Sequence, residues 1–128
     1  MSDDLFDKGM ATRKAVLGAE YVARAEANKT DFDADWQRYV TEHAWAAVWT
    51  RPGLEKRTRS MLTIAMLASL GRVDELGAHI RATRNTGVTQ EEVKEVLLQV
   101  AVYAGAPAAN SAFAIAKRVY KEMESESK

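Results

Sequence analysis

The sequence predicts an all-α fold, a single-domain helical bundle of about six or seven helices. Three observations carry that expectation. Apolar residues recur at helical spacing along most of the chain, and no stretch alternates convincingly between apolar and polar residues. The seven glycines and two prolines fall mostly where a helix would stop or start. A complete capping-box sequence, Thr89-Gln90-Glu91-Glu92, opens one helix: Thr89 can accept from the amide of Glu92, whose side chain reaches back.

The first 28 residues read as one or two short helices divided near Gly18. Asp31 or Asp33 caps the next helix, which carries Phe32, Trp36, Tyr39, Val40 and Ala44 and ends near Trp49. Arg51-Pro52-Gly53 breaks the chain. Glu55 to Leu70 follows as a helix that becomes apolar almost all round through Met61, Leu62, Ile64, Ala65, Leu67, Ala68 and Leu70. Such a pattern predicts a central, buried helix closed by Gly71. Arg72 to Thr86 is the next, with Val73, Leu76 and Ile80 inward and Gly87 as its stop. After the capping box, Val93, Val96, Leu97, Val100, Ala101 and Ala104 continue a helix to Gly105. Pro107 suits the first turn of the last helix, where its missing N–H costs nothing. Ala109, Ala112, Phe113, Ala116, Tyr120 and Met123 make its stripe, and Glu124 to Lys128 is expected to fray. With no linker in view, residues 1–128 are expected to form one domain. The several alanine positions and surplus apolar stripes predict a homo-oligomer.

Composition excludes several functions. The chain has 128 residues and no cysteine, so disulfide scaffolds, thiolate zinc sites and thiol peroxidases are out. Lys plus Arg and Asp plus Glu are 18 each, which leaves no global positive field for nucleic acid or anionic lipid. The Met-Ser-Asp-Asp start lacks a signal-peptide pattern, and the apolar run Met61 to Leu70 is too short for a bilayer. A cytoplasmic protein with no nucleic-acid or membrane partner is the expectation. Two isolated histidines give no metal site, and no Gly-rich phosphate loop or nucleophile elbow is present.

Two groups of residues can carry chemistry. Arg72, Glu75 and His79 share a polar stripe beside the apolar stripe of Val73, Leu76 and Ile80. A carboxylate one turn from an imidazole can raise its pKa and fix its tautomer, suiting it to proton transfer near neutral pH. The same spacing also describes an ordinary solvated pair, and both readings stand at this point. His43 reads as a helix-end or interface histidine. The segment from Arg51 through Arg59, flanked by Trp45 and Trp49, can bind carboxylates through guanidinium forks between aromatic walls. A solvated loop with paired arginines fits it equally.

The run Ala44-Trp45-Ala46-Ala47-Val48-Trp49-Thr50-Arg51-Pro52-Gly53-Leu54 resembles carboxymuconolactone decarboxylases. So do Thr58-Arg59-Ser60, the stretch Ile64 to Arg72, Asp74-Glu75-Leu76 with His79 and Arg81-Ala82, Asn85 with Gly87-Val88-Thr89, and Tyr103 to Asn110. The likeness covers nearly the whole chain in order. It implies the helical fold shared with alkylhydroperoxidase-like proteins, assembled as trimers or hexamers. The cysteine pair of the peroxidase branch would fall on Arg72 and Glu75, and its relay glutamate near Ser60, so that branch's chemistry is absent. One departure is Ala46, where these decarboxylases carry glycine. The added methyl either narrows the pocket or is silent on a helix.

The activity implied is cofactor-free decarboxylation of 4-carboxymuconolactone to 3-oxoadipate enol-lactone, in protocatechuate breakdown by the β-ketoadipate route. The alternatives are a related decarboxylase or isomerase for another small carboxylated lactone or keto acid, and a non-catalytic helical oligomer. The substrate resembles an unsaturated five-membered lactone whose ring carbon next to oxygen bears both the departing carboxylate and a carboxymethyl arm. Its own conjugated carbonyl takes the electron pair, so no cofactor or metal is expected. For such a substrate, Arg51 or Arg59 is the candidate for holding the arm, with Arg72 as another clamp, and Trp45 or Trp49 the candidate dry wall. His79 becomes the proton donor oriented by Glu75, and these two could exchange roles.

Overall fold

The structure, a computed structural model, describes residues 2–127. Every regular element among them is helical: α1 (Ser2–Leu17), α2 (Ala19–Asn28), α3 (Ala34–Val40), α4 (Lys56–Leu70), α5 (Val73–Arg81), α6 (Thr83–Thr86), α7 (Gln90–Ala104) and α8 (Ala106–Glu126). A π-helical turn, Thr41–Ala46, continues α3. The single turn α6 follows α5 after Ala82 alone, so the expected helix from Arg72 to Thr86 is present with one break. The chain packs as two compact units, which divide between Lys56 and Arg57.

In the first unit, α1 packs closely on the π-helical turn. A methyl group on Gly9 would collide with the Thr41 carbonyl oxygen, so only glycine admits this approach. Thr41 is fully buried there and donates its hydroxyl to the Gln37 carbonyl at 2.7 Å. Gly18 separates α1 from α2 at a φ of 97°, a conformation that side chains disfavour. Asp33 stands at the N-cap of α3 and accepts from the Thr30 amide at 2.8 Å. The expected single helix to Trp49 is instead α3, the wider π turn and a run of turns over residues 47–50. Phe32, Trp36 and Tyr39 are exposed.

In the second unit, Ile64 and Ala68 of α4 join Leu76 and Ile80 of α5, Val93, Leu97 and Val100 of α7, and Ala112, Ala116 and Val119 of α8 in one core. The capping box at Thr89 is complete: Glu92 N–H donates to Thr89 Oγ1 at 3.1 Å, and Thr89 N–H donates to Glu92 at 2.9 Å. Arg57 pairs with Glu92, which ties the start of α4 to this cap. Pro107 lies in the first turn of α8, as expected.

Three expectations are corrected. α4 is not buried all round. Its core stripe is Ser60, Ile64 and Ala68, while Leu62, Met66 and Leu70 remain exposed, Leu70 by 70%. One small chain has too little apolar surface to cover every face of such a helix. Val73 and Ala104, expected inward, are also exposed. The tail does not fray at Glu124: α8 runs to Glu126, because Arg81 holds Glu126 at 2.8 Å and Glu122 at 2.7 Å. Lys128 lies outside the described residues.

Candidate active site

Arg72, Glu75 and His79 all belong to the start and body of α5. Gly71, at a φ of 71°, turns the chain out of α4. Arg72 then takes the N-cap position, its amide donating to the Leu67 carbonyl and its carbonyl accepting from Leu76, each at 2.9 Å. Glu75 occupies the first turn of α5, where the exposed amide ends favour a negative charge. His79 follows one turn later, in the last turn of the helix. Leu76 and Ile80 are fully buried and clamp this helix to the core. Glu75 and Arg72 face solvent, and His79 between the two environments is half-buried.

The imidazole stands in a dry position, with its Nδ1 shielded from solvent. Burial pushes the His79 pKa down to about 4, against an opposing, smaller pull from the Glu75 carboxylate. The carboxylate one turn away therefore acts in the expected direction, but desolvation outweighs it. His79 is neutral at pH 7 in the free protein. A neutral imidazole can donate one hydrogen bond and accept another. It becomes a proton donor only when negative charge arrives beside it.

Arg59 lies on α4 in the same unit, half-buried, with its Nε shielded from solvent. The next residue, Ser60, is fully buried and receives a hydrogen bond from Thr86 Oγ1 at 3.0 Å. That contact connects α4 to α6, just beyond α5. Nothing in the spacing of Ser60 and Thr86 along the sequence signals it.

The other predicted binding residues belong to the first unit. Trp45 and Trp49 are buried and stacked, with ring centroids 5.1 Å apart at 29°. The π turn and the turns that follow it place these two rings together. Arg51 comes two residues later and is exposed. Ala46 is buried, and no non-glycine residue among those described has a positive φ. The backbone there accepts a side chain without strain. His43 lies against Tyr39, centroids 4.4 Å apart, as befits a helix-surface aromatic contact.

A concavity of about 620 Å³ lies elsewhere in the second unit, lined by Arg84, Lys117, Tyr120 and Lys121 among others. His79 does not line it. Among the described residues, no three His, Cys, Asp or Glu side chains gather as a metal site. No helix among them is long and apolar enough to cross a membrane.

A helical chain without a thiol, carrying a desolvated histidine one turn from a carboxylate, has the parts of an acid–base site. A model of the carboxymuconolactone decarboxylase family matches residues 34–118. The chain is 46% identical over 118 residues to 4-carboxymuconolactone decarboxylase of Acinetobacter baylyi, covering 92% of this chain and 88% of that protein. It is 42% identical over 119 residues to nitrosuccinic acid decarboxylase npaB of Metarhizium robertsii, covering 93% and 83%. A 15.0 kDa protein of Paracoccus denitrificans without an assigned function is 34% identical over 89 residues, 68% of this chain and 66% of its own length. The chain belongs to the carboxymuconolactone decarboxylase family.

Proposed function

We propose that this protein decarboxylates 4-carboxymuconolactone to 3-oxoadipate enol-lactone, in the protocatechuate branch of aromatic catabolism. The observation that carries the reading is the 46% identity to a decarboxylase of that name across nearly the whole chain. Cleavage of the bond to the departing carboxylate leaves an electron pair on the ring carbon. The ring double bond passes that pair to the lactone carbonyl, giving a dienolate. A proton added at the carbon next to the carbonyl yields the enol-lactone. The substrate carries its own electron sink, so the protein's tasks are binding, charge stabilisation and protonation.

Arg59 or Arg72 holds the carboxymethyl arm by charge-assisted hydrogen bonds. His79, neutral in the free protein, gains a proton when the dianionic substrate arrives, because nearby negative charge favours imidazolium. It then delivers that proton to carbon, oriented by Glu75. Arg51, Trp45 and Trp49 are assigned to substrate binding, the arginine to a carboxylate and the indoles to keeping water away. The exposed apolar residues Phe32, Leu70, Val102 and Tyr103 support self-assembly, since a monomer rarely leaves so much apolar surface wet; a trimer or hexamer in the cytoplasm is the assembly proposed. Analytical ultracentrifugation tests the assembly.

A second reading, turnover of nitrosuccinate, is favoured by the 42% identity to the fungal enzyme. The two substrates share more than a carboxylate. Nitrosuccinic acid carries, on one carbon, a carboxyl group, a carboxymethyl arm and a nitro group that can accept the electron pair. The lactone carries the same carboxyl and arm on a carbon that reaches its carbonyl through the ring double bond. Proton NMR of each reaction, run with chelator-treated protein, tests the proposal. Enol-lactone formation supports the first reading; conversion of nitrosuccinate alone supports the second.

A further inference from the structure

We infer that the site recognises a succinate bearing any oxygen-terminated electron sink on its second carbon, and that it therefore also decarboxylates 2-acylsuccinates such as 2-acetylsuccinate. The inference rests on the reading just proposed and extends it to a substrate class that neither relative's name records. Three observations lead there. The two substrates named for relatives at 46% and 42% identity differ in ring, sink and size, yet share the succinate carbon skeleton and the carbon from which carbon dioxide leaves. The residues available in the second unit suit that shared part: the cations Arg59 and Arg72 for a carboxylate arm, and the half-buried His79 for the sink. Finally, His79 presents a desolvated imidazole, whose hydrogen bond and proton serve any developing oxyanion and carbanion without reading a ring.

In 2-acetylsuccinate, the ketone is bonded directly to the second carbon, as the nitro group is in nitrosuccinate. The bond from the second carbon to its carboxylate breaks and carbon dioxide leaves. The electron pair forms the enolate double bond, and the negative charge settles on the ketone oxygen, where a histidine N–H can meet it. Return of the pair to carbon with one proton from His79 gives 4-oxopentanoate. Solvent restores that proton, so the reaction consumes one proton and needs no oxidant, reductant or co-reactant.

The test compares three small acids with 4-carboxymuconolactone as the positive control, on the full chain. 2-Acetylsuccinate has arm and sink; 2-methylacetoacetate has the sink without the arm; 2-methylsuccinate has the arm without the sink. Carbon dioxide release is measured against the spontaneous rate in buffer. The expected result is acceleration of 2-acetylsuccinate decarboxylation, lowered by roughly 10²-fold or more in His79→Ala. 2-Methylacetoacetate should show kcat/KM lower by about 10²-fold, the loss expected for a missing charge-assisted pair. 2-Methylsuccinate should inhibit competitively. Conversion of the lactone with no acceleration of 2-acetylsuccinate would overturn the inference and leave the proposed function standing. Equal acceleration of 2-acetylsuccinate by His79→Ala, or of 2-methylacetoacetate by the wild type, would overturn it as well. Failure of a folded protein, verified by circular dichroism, to convert either the lactone or 2-acetylsuccinate would overturn both readings.

Discussion

Thr86 donates its hydroxyl hydrogen to Ser60 across 3.0 Å, joining the turn beyond α5 to the buried face of α4. The two ends of this bond are unequal, since Ser60 is fully buried and Thr86 only half-buried. Thr86→Val strands the buried serine oxygen without this donor and should cost about 1–3 kcal/mol. Ser60→Ala leaves a hydroxyl that can reach water and should cost about 1 kcal/mol or less. Urea unfolding of the two single variants and the double variant gives the coupling, expected at about 0.5–1.5 kcal/mol. Strict additivity would remove the bond from the account of how α4 and α6 are held.

Gly9 should resist substitution. The Thr41 carbonyl sits where a methyl group would go, so Gly9→Ala must push α1 away from the π-helical turn. Overpacking of this kind costs about 1–3 kcal/mol. The midpoint of urea unfolding reads the effect. A neutral or stabilised Gly9→Ala variant would show that the first unit yields at this contact.

His79 makes stability depend on pH with a definite sign. Its folded pKa, about 4, lies below the ordinary value of 6.5. Between those values the unfolded chain binds the proton and the folded chain does not. Stability from this group is therefore fully present above pH 6.5 and falls as pH drops towards 4. The loss is at most about 3 kcal/mol, less as water relaxes around the half-buried ring. Comparing wild type with His79→Asn from pH 7.5 to 4.5 isolates it. Parallel stability curves would contradict a neutral, desolvated imidazole.

Dianion binding should reverse that protonation state. NMR of the His79 ring at pH 7 should show neutral imidazole in the free protein and a shift towards imidazolium when 2-methylsuccinate is added. Titration calorimetry in buffers of different ionisation enthalpy should then record proton uptake. Glu75→Gln should reduce that uptake, because the carboxylate favours the charged ring. Binding without proton uptake would leave His79 as a hydrogen-bond donor and move the proton source elsewhere.

Helix capping and periodicity made much of this fold legible. The Thr89 box, Gly18 as a divider and Pro107 as a helix opener are local features, set by backbone chemistry within a few residues. The break at Ala82, the π turn at Thr41–Ala46 and the Ser60–Thr86 bond depend on packing between distant segments, and no local pattern announces them. α4 misled for another reason. Its composition records all the surface it is able to bury, whereas the single chain covers one stripe. At the candidate site, spacing brought Arg72, Glu75 and His79 to one helix. It could not rank desolvation against the carboxylate, because burial of the ring is a tertiary property. The stacking of Trp45 on Trp49 was not legible, because it depends on the end of the π turn and the turns that follow it.

The central claim is that His79 protonates carbon in a decarboxylation that needs nothing beyond protein and substrate. Its most direct measurement is the ultraviolet loss of 4-carboxymuconolactone with chelator-treated wild type and His79→Ala side by side. The account predicts rapid conversion by the wild type and a kcat lower by roughly 10²–10⁴-fold in the variant, with unchanged folding. Full activity in His79→Ala would contradict the assignment of the proton donor, and no conversion by folded wild type would contradict the proposed reaction itself.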